Sequence, residues 1–171
     1  MTFNFGKHYL TGYMASTFGP DSELEVVPLW IDGTPAESTK GTTFLVHSAK
    51  QGKIVYKAQS ADIRDATRAA DVALTAFRNW RRTSAYDRQS LLFRAADIFE
   101  ARKYEAITFQ VAETSCEPSW AGFNVKYGVS VMREIASKVT SVCGEIPRTV
   151  SEANLCLVFK EPIGPSLLIA P

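Results

Sequence analysis

The chain has 171 residues, of which 22% are charged and 46% apolar, and a formal net charge of +1. That balance belongs to a globular protein large enough to bury a core. It excludes a basic nucleic-acid surface, and no apolar run approaches the roughly 20 residues that span a bilayer, so neither partner is expected.

Met1 to Gly12 is interrupted by Asn4, Lys7 and His8, unlike a secretory leader, which makes the cytoplasm the default location. The histidines are only His8 and His47, too few for a histidine-rich metal centre, and no metal is expected. Cys116, Cys143 and Cys156 are odd in number and match no metal or redox spacing, so they read as reduced thiols. Cys116 lies beside an expected helix N-terminus, where a reactive thiol is conceivable. A structural thiol is the plainer reading, because no histidine is near it in sequence to act as its base.

Residues 1–23 form an aromatic-rich N-terminal arm carrying Phe3, Phe5, Tyr9, Tyr13 and Phe18. These are too many aromatics for a solvated tail, so the arm is expected to pack on the body or on another subunit. From residue 24 the chain reads as one domain. Leu24 to Ile31 is strand-like and Asp32-Gly33 is a turn signal. Phe44-Leu45-Val46 and Ile54-Val55-Tyr56, separated at Gly52, complete a small antiparallel meander.

Ser60 or Asp62 then caps a helix in which Ile63, Ala66, Ala70, Ala73, Phe77 and Trp80 recur at spacings of three and four. One face is expected to pack, with Arg64, Asp65, Arg68, Asp71 and Arg78 off it. Ser84 with Asp87 resembles a capping box and starts a second helix to about Val111, carrying Leu91, Ala95, Ile98 and Phe99 inward.

Pro118 is suited to the first turn of a third helix, with Thr114 or Ser115 as cap and Gly144 as its C-terminal stop. Trp120, Phe123, Tyr127 and Val131 line one face of it, and Val125, Val129, Met132 and Ala136 line another. A helix apolar on two sides is buried between layers or walls a pocket. The interior helix is the plainer reading. The sharper one has Trp120, Phe123, Asn124 and Tyr127 lining a cavity for a flat apolar molecule, with one amide to orient it. Val150 to Phe159 is expected as a strand apolar on both faces, and Ser166 to Ala170 as a buried parallel strand.

The order of four stretches resembles the N-terminal part of the aldehyde dehydrogenase superfamily: Leu29-Trp30-Ile31-Asp32-Gly33; Ala76-Phe77-Arg78-Asn79-Trp80 followed by Arg88 and Leu91-Leu92; Ala112-Glu113-Thr114; and Glu161-Pro162-Ile163-Gly164-Pro165 through Pro171. Trp120-Ala121-Gly122-Phe123-Asn124-Val125 with Met132-Arg133-Glu134 is most similar to the salicylaldehyde and vanillin dehydrogenase branch. One departure is His47-Ser48-Ala49, where most members have an Asn-Pro.

The resemblance implies an α/β chain, an α+β-like fragment: short antiparallel N-terminal strands, three main helices, and C-terminal strands of an incomplete aldehyde-dehydrogenase-type domain. Residues 149–160 would be an oligomerisation-type strand, so a homo-oligomer, in the first place a dimer, is expected. Members continue beyond the equivalent of Ala170-Pro171 with an oxyanion-holding Asn, the cofactor-binding lysine and glycine turn, the general-base Glu and the nucleophilic Cys. None of these positions falls within the 171 residues, and no Gly-x-Gly-x-x-Gly occurs. The expectation is therefore a truncated relative with no cofactor and no redox competence of its own, repurposed to bind a hydrophobic, aromatic small molecule. A cofactor-free cyclisation, isomerisation or addition would draw its acid or base from Tyr127, Lys126, Glu117, Arg133 or His47, each with a plainer structural role available. The alternatives are a non-catalytic partner of a full-length aldehyde dehydrogenase, or an inert fragment of an NAD(P)-dependent aromatic aldehyde dehydrogenase.

Overall fold

The computed structural model describes residues 24–170, so the aromatic arm lies outside the described residues. Pro28 divides the first strand-like run, since proline has no N–H for a ladder. The pieces are β1 (Val26–Val27) and β2 (Leu29–Ile31). β2 turns through Asp32 (φ 58°) and Gly33 (φ 71°) into β3 (Thr34–Ala36), and two positive φ values in a two-residue turn suit the twist of a hairpin. β4 (Thr43–His47) and β5 (Ile54–Gln59) pair antiparallel, as expected, but β1 joins β5 in parallel. The result is a three-stranded sheet, β1-β5-β4, and a separate β2-β3 hairpin rather than one meander.

Helix α1 (Ile63–Trp80) begins at Asp62, whose carboxylate accepts from the backbone N–H groups of Arg64 and Asp65, while Asp65 reaches back to the Asp62 N–H. Asp65 is buried and also accepts from the Thr39 backbone N–H (3.0 Å) and hydroxyl. This ties the start of α1 to the loop before β4. Its apolar stripe was expected to pack inward, and that expectation is corrected. Ile63 is 84% exposed, Trp80 44%, and Ala66, Ala70 and Ala73 are exposed as well. Periodicity decides which face of a helix is apolar, not whether a neighbour reaches it.

The long second helix is in fact two. α2 (Ala85–Ala101) starts at Ser84, whose hydroxyl accepts from the Asp87 N–H at 3.0 Å. It stops at Arg102, where ψ opens to 18°. α3 (Lys103–Thr114) follows at once, and the Arg102 guanidinium donates twice to Glu105 in its first turn, at 2.8 and 2.9 Å.

α4 (Pro118–Lys138) has proline in its first turn as expected, but its N-cap is Glu117, with no side-chain cap bond. Ser115 instead closes α3 in the left-handed conformation. α4 packs across α2 and α3 with Ala121, Val125, Val129 and Ala136 buried, opposite the buried Ala96 of α2. Small side chains at the contact let the backbones approach closely. Gln89 of α2 donates to the Ala136 carbonyl at 3.1 Å and fixes the far end of the pair.

α4 ends in a 3-10 turn at Val139–Ser141, not at Gly144. Gly144 has another reason to be glycine: a Cβ there would lie 2.3 Å from the Val158 carbonyl oxygen. That contact belongs to an isolated antiparallel bridge, Glu145 with Val158, the only pairing described in the region where residues 149–160 were expected to form a strand. The expected strand Ser166 to Ala170 is not formed either, and Leu167, Leu168 and Ile169 are 84–88% exposed. A strand needs a neighbour to satisfy its backbone, and no edge of the described sheets lies along either segment. Among the described residues no helix is long and apolar enough to cross a membrane.

Candidate functional site

Helix α4 has two unlike apolar faces. One is the buried seam. On the other, Trp120, Phe123 and Tyr127, three and four residues apart, stack in a ladder with ring centroids 5.5 and 6.0 Å apart and planes within 24° and 11°. The spacing brings successive side chains onto one face, and the helical χ1 preferences lay each ring toward the one before it. All three rings are more than half exposed, so they form an open wall and not the lining of an enclosed cavity. Asn124, half-buried, stands beside Trp120 on the next turn and Lys126 is exposed at the wall's edge.

The other candidates are distributed differently. Arg133 donates to Asp97 (2.9 Å) and Glu100 (2.6 Å) of α2, and these carboxylates hold its guanidinium still more firmly protonated than usual, which fits a clamp between helices. Glu117 is the N-cap residue of α4 and its carboxylate is exposed. His47 ends β4, with Nδ1 3.3 Å from the Gly52 carbonyl across its own hairpin turn. No described hydrogen bond links it to the ladder. Trp120, Phe123 and Tyr127 are thus brought together, with Asn124 and Lys126 flanking, whereas Arg133 and His47 serve packing and turn geometry.

Sequence reasoning missed how the wall is anchored. Ser48, buried in the β4–β5 turn, shares a hydrogen bond with the Ser115 hydroxyl at 2.8 Å, and Ser115 also accepts from the Lys50 N–H. Ala49 donates to the Glu113 carbonyl at 2.8 Å, and the Tyr56 hydroxyl bonds the Glu113 carboxylate. The joint between α3 and α4 is therefore clamped to the sheet. It was also blind to an apolar cleft of about 370 Å³ at the α2–α3 bend, lined by Ala95, Ile98, Phe99, Ala106 and Phe109, with the Arg102–Glu105 pair at its side. The one available signal was the Arg102/Glu105 spacing.

No group of three or more His, Cys, Asp or Glu side chains able to hold a metal occurs among the described residues. A dinucleotide needs helix N–H groups or a glycine turn free to meet phosphate. Here the N-termini of α1 and α2 are filled by Asp62 and by Ser84 with Asp87, whereas those of α3 and α4 carry no side-chain cap. The positive-φ glycines of β-turns and tail, such as Gly33 and Gly52, precede no helix directly.

The aldehyde dehydrogenase family model matches residues 36–171. The chain belongs to the aldehyde dehydrogenase family. Among curated relatives, salicylaldehyde dehydrogenase of Pseudomonas putida is 32% identical over 143 residues, covering 84% of this chain and 30% of the relative. Vanillin dehydrogenase of Pseudomonas fluorescens is 33% identical over 145 residues, covering 85% and 30%. The chain thus spans about 30% of the length of the curated relatives it matches. Of solved structures, the salicylaldehyde dehydrogenase of Pseudomonas putida G7 complexed with salicylaldehyde superposes with a TM-score of 0.78 at 29% identity, covering 82% of this chain and 29% of that one.

Proposed function

We propose that this aldehyde dehydrogenase chain contributes an aromatic wall that binds the ring of an aromatic aldehyde, and that its own part in the chemistry is binding and orientation rather than redox. The observation that carries the reading is the stacked, open ladder Trp120–Phe123–Tyr127. Support comes from the likeness to a salicylaldehyde-bound relative and to vanillin dehydrogenase. A ring laid on the wall covers about 100 Å² of apolar surface, about 2.5 kcal/mol, and stacking adds about 1 kcal/mol. The sum corresponds to a dissociation constant of a few millimolar. Tighter binding requires a second surface to close over the ring. Asn124 is placed to take a hydrogen bond from, or donate one to, the polar substituent.

Titration of the chain with salicylaldehyde, followed by tryptophan fluorescence, tests this. Saturable quenching in the millimolar range that Trp120→Ala and Tyr127→Ala abolish is expected. Quenching that both variants retain would remove the wall from the function.

A second reading has the chain act without nucleotide, promoting cyclisation, isomerisation or addition. The exposed Lys126 ammonium and Tyr127 hydroxyl on α4 favour it, because a general acid or base has to lie within reach of the ring it acts on. Conversion of a hydrophobic aldehyde in the absence of nucleotide, lost in Tyr127→Phe or Lys126→Met, separates it from binding alone. Self-association is part of the first reading: Leu155, Leu157 and Phe159 are 75%, 49% and 76% exposed and call for a partner surface, in the simplest case a second copy.

A further inference from the structure

We propose that the N-terminal arm, residues 1–23, docks along the exposed apolar face of α1. The face is unusual in shape. Ala66, Ala70 and Ala73 make a shallow central trough, bounded at one end by Ile63 (84% exposed) and at the other by Leu74 (47%), the half-buried Phe77 and Trp80 (44%). An α-helix of 18 residues presents this trough over about 27 Å. A trough floored by methyl groups and walled by large side chains takes rings. The arm supplies five in 23 residues, Phe3, Phe5, Tyr9, Tyr13 and Phe18.

Position favours the arm over other occupants. Its root, Leu24, precedes Glu25, whose carbonyl accepts from the Lys57 N–H at 3.0 Å, so the arm leaves the body beside β5. From Lys57 the chain needs only Ala58 to Asp62 to enter α1. Twenty-three residues reach about 75 Å when extended, well beyond the length of the helix. A segment tethered this close meets the trough at an effective concentration of millimolar order, whereas a second copy in solution at micromolar concentration is about a thousandfold more dilute.

Hydrogen exchange on the full 171-residue chain tests the proposal, read by peptide at about 2 and about 100 μM. The comparison variant carries serine at positions 3, 5, 9, 13 and 18. Residues 63–80 are expected to exchange about tenfold faster in the variant, equally at both concentrations, while residues 118–138 are unchanged and certify that the fold persists. Ala70→Glu, which sets a carboxylate in the trough on an already exposed position, should reproduce the effect with the arm intact. Exchange of α1 that is indifferent to the arm substitutions overturns the proposal, as does protection of α1 that grows with concentration and survives them, which would assign the trough to a second copy.

Discussion

The two faces of α4 make opposite demands on substitution, and the pair Val129→Ala and Tyr127→Ala separates them. Val129 is 5% exposed on the seam against α2 and α3. Removing its two methyl groups forfeits about 1.6 kcal/mol of transfer free energy and about 1 kcal/mol for the cavity left behind. Alanine returns about 0.5 kcal/mol of helix propensity, leaving a net loss of about 2 kcal/mol. For a domain of this size that lowers Tm by about 6 °C. Tyr127 is 63% exposed, so its truncation loses little packing beyond part of one stacking contact with Phe123, and the same propensity gain offsets it. Its Tm should move by less than about 1 °C. Salicylaldehyde titration should show the reverse: Val129→Ala binds as the parent does and Tyr127→Ala does not. Thermal melts and titrations on both variants suffice. A Tyr127→Ala loss as large as that of Val129→Ala would mean that the ladder is covered in the folded chain, and the wall would cease to be a binding surface.

Ser84→Ala removes the hydroxyl that accepts from the Asp87 N–H and should cost about 1 kcal/mol, measured by urea denaturation. Hydrogen bonding from the Thr39 hydroxyl, then from the Asp62 backbone, lowers the pKa of Asp65 below its ordinary 3.8. A depressed carboxylate stabilises the fold above the unfolded pKa and loses that stabilisation as pH falls through the folded value. The wild type should therefore lose stability below about pH 4 more steeply than Asp65→Asn, and parallel acid titrations of the two would refute the role. Gly144→Ala forces a Cβ to 2.3 Å from the Val158 carbonyl and should break the bridge that carries the hydrogen bonds Glu145 N–H to Val158 and Val158 N–H to Glu145; faster exchange confined to residues 144–159 reports it. Light scattering at micromolar concentration should give a dimer mass, and a monodisperse monomer would withdraw the proposed self-association.

Local chemistry was legible where local chemistry decides. Asp62 before an apolar period, Ser84 three residues ahead of Asp87, Pro118 ahead of the α4 stripes and the Asp32-Gly33 turn each act through backbone groups only a few residues away. The buried seam was legible for the same reason, since Val125, Val129 and Ala136 keep helical period. What depends on a second segment was not. Alternation in Val150 to Phe159 records a preference for extended backbone, but a strand is a pairing, and only Val158 finds one. The α2–α3 break carries neither Gly nor Pro; it comes from the Arg102 backbone leaving the helix while its side chain grips Glu105. The cleft at that bend could not be read without the break.

The clamp at Ser115 gives the departure at His47-Ser48-Ala49 a physical meaning. Where most family members are said by resemblance to carry Asn-Pro, this chain places a hydroxyl and a backbone N–H, and both are used: Ser48 reaches Ser115, and Ala49 donates to Glu113. A proline has no N–H to donate, so a proline at 49 would remove the second bond outright. Ser115 in turn holds φ of 55°, a conformation a non-glycine residue adopts only under local constraint, and it is the last joint before Glu117 and the ladder. The entry into α4 is thus tied to the sheet by hydrogen bonds, while its buried seam with α2 and α3 fixes the rest of its course. The β4–β5 turn is joined to the segment that leads into the wall's helix, so a substitution in the turn is expected to act on ligand binding through orientation without touching a ring.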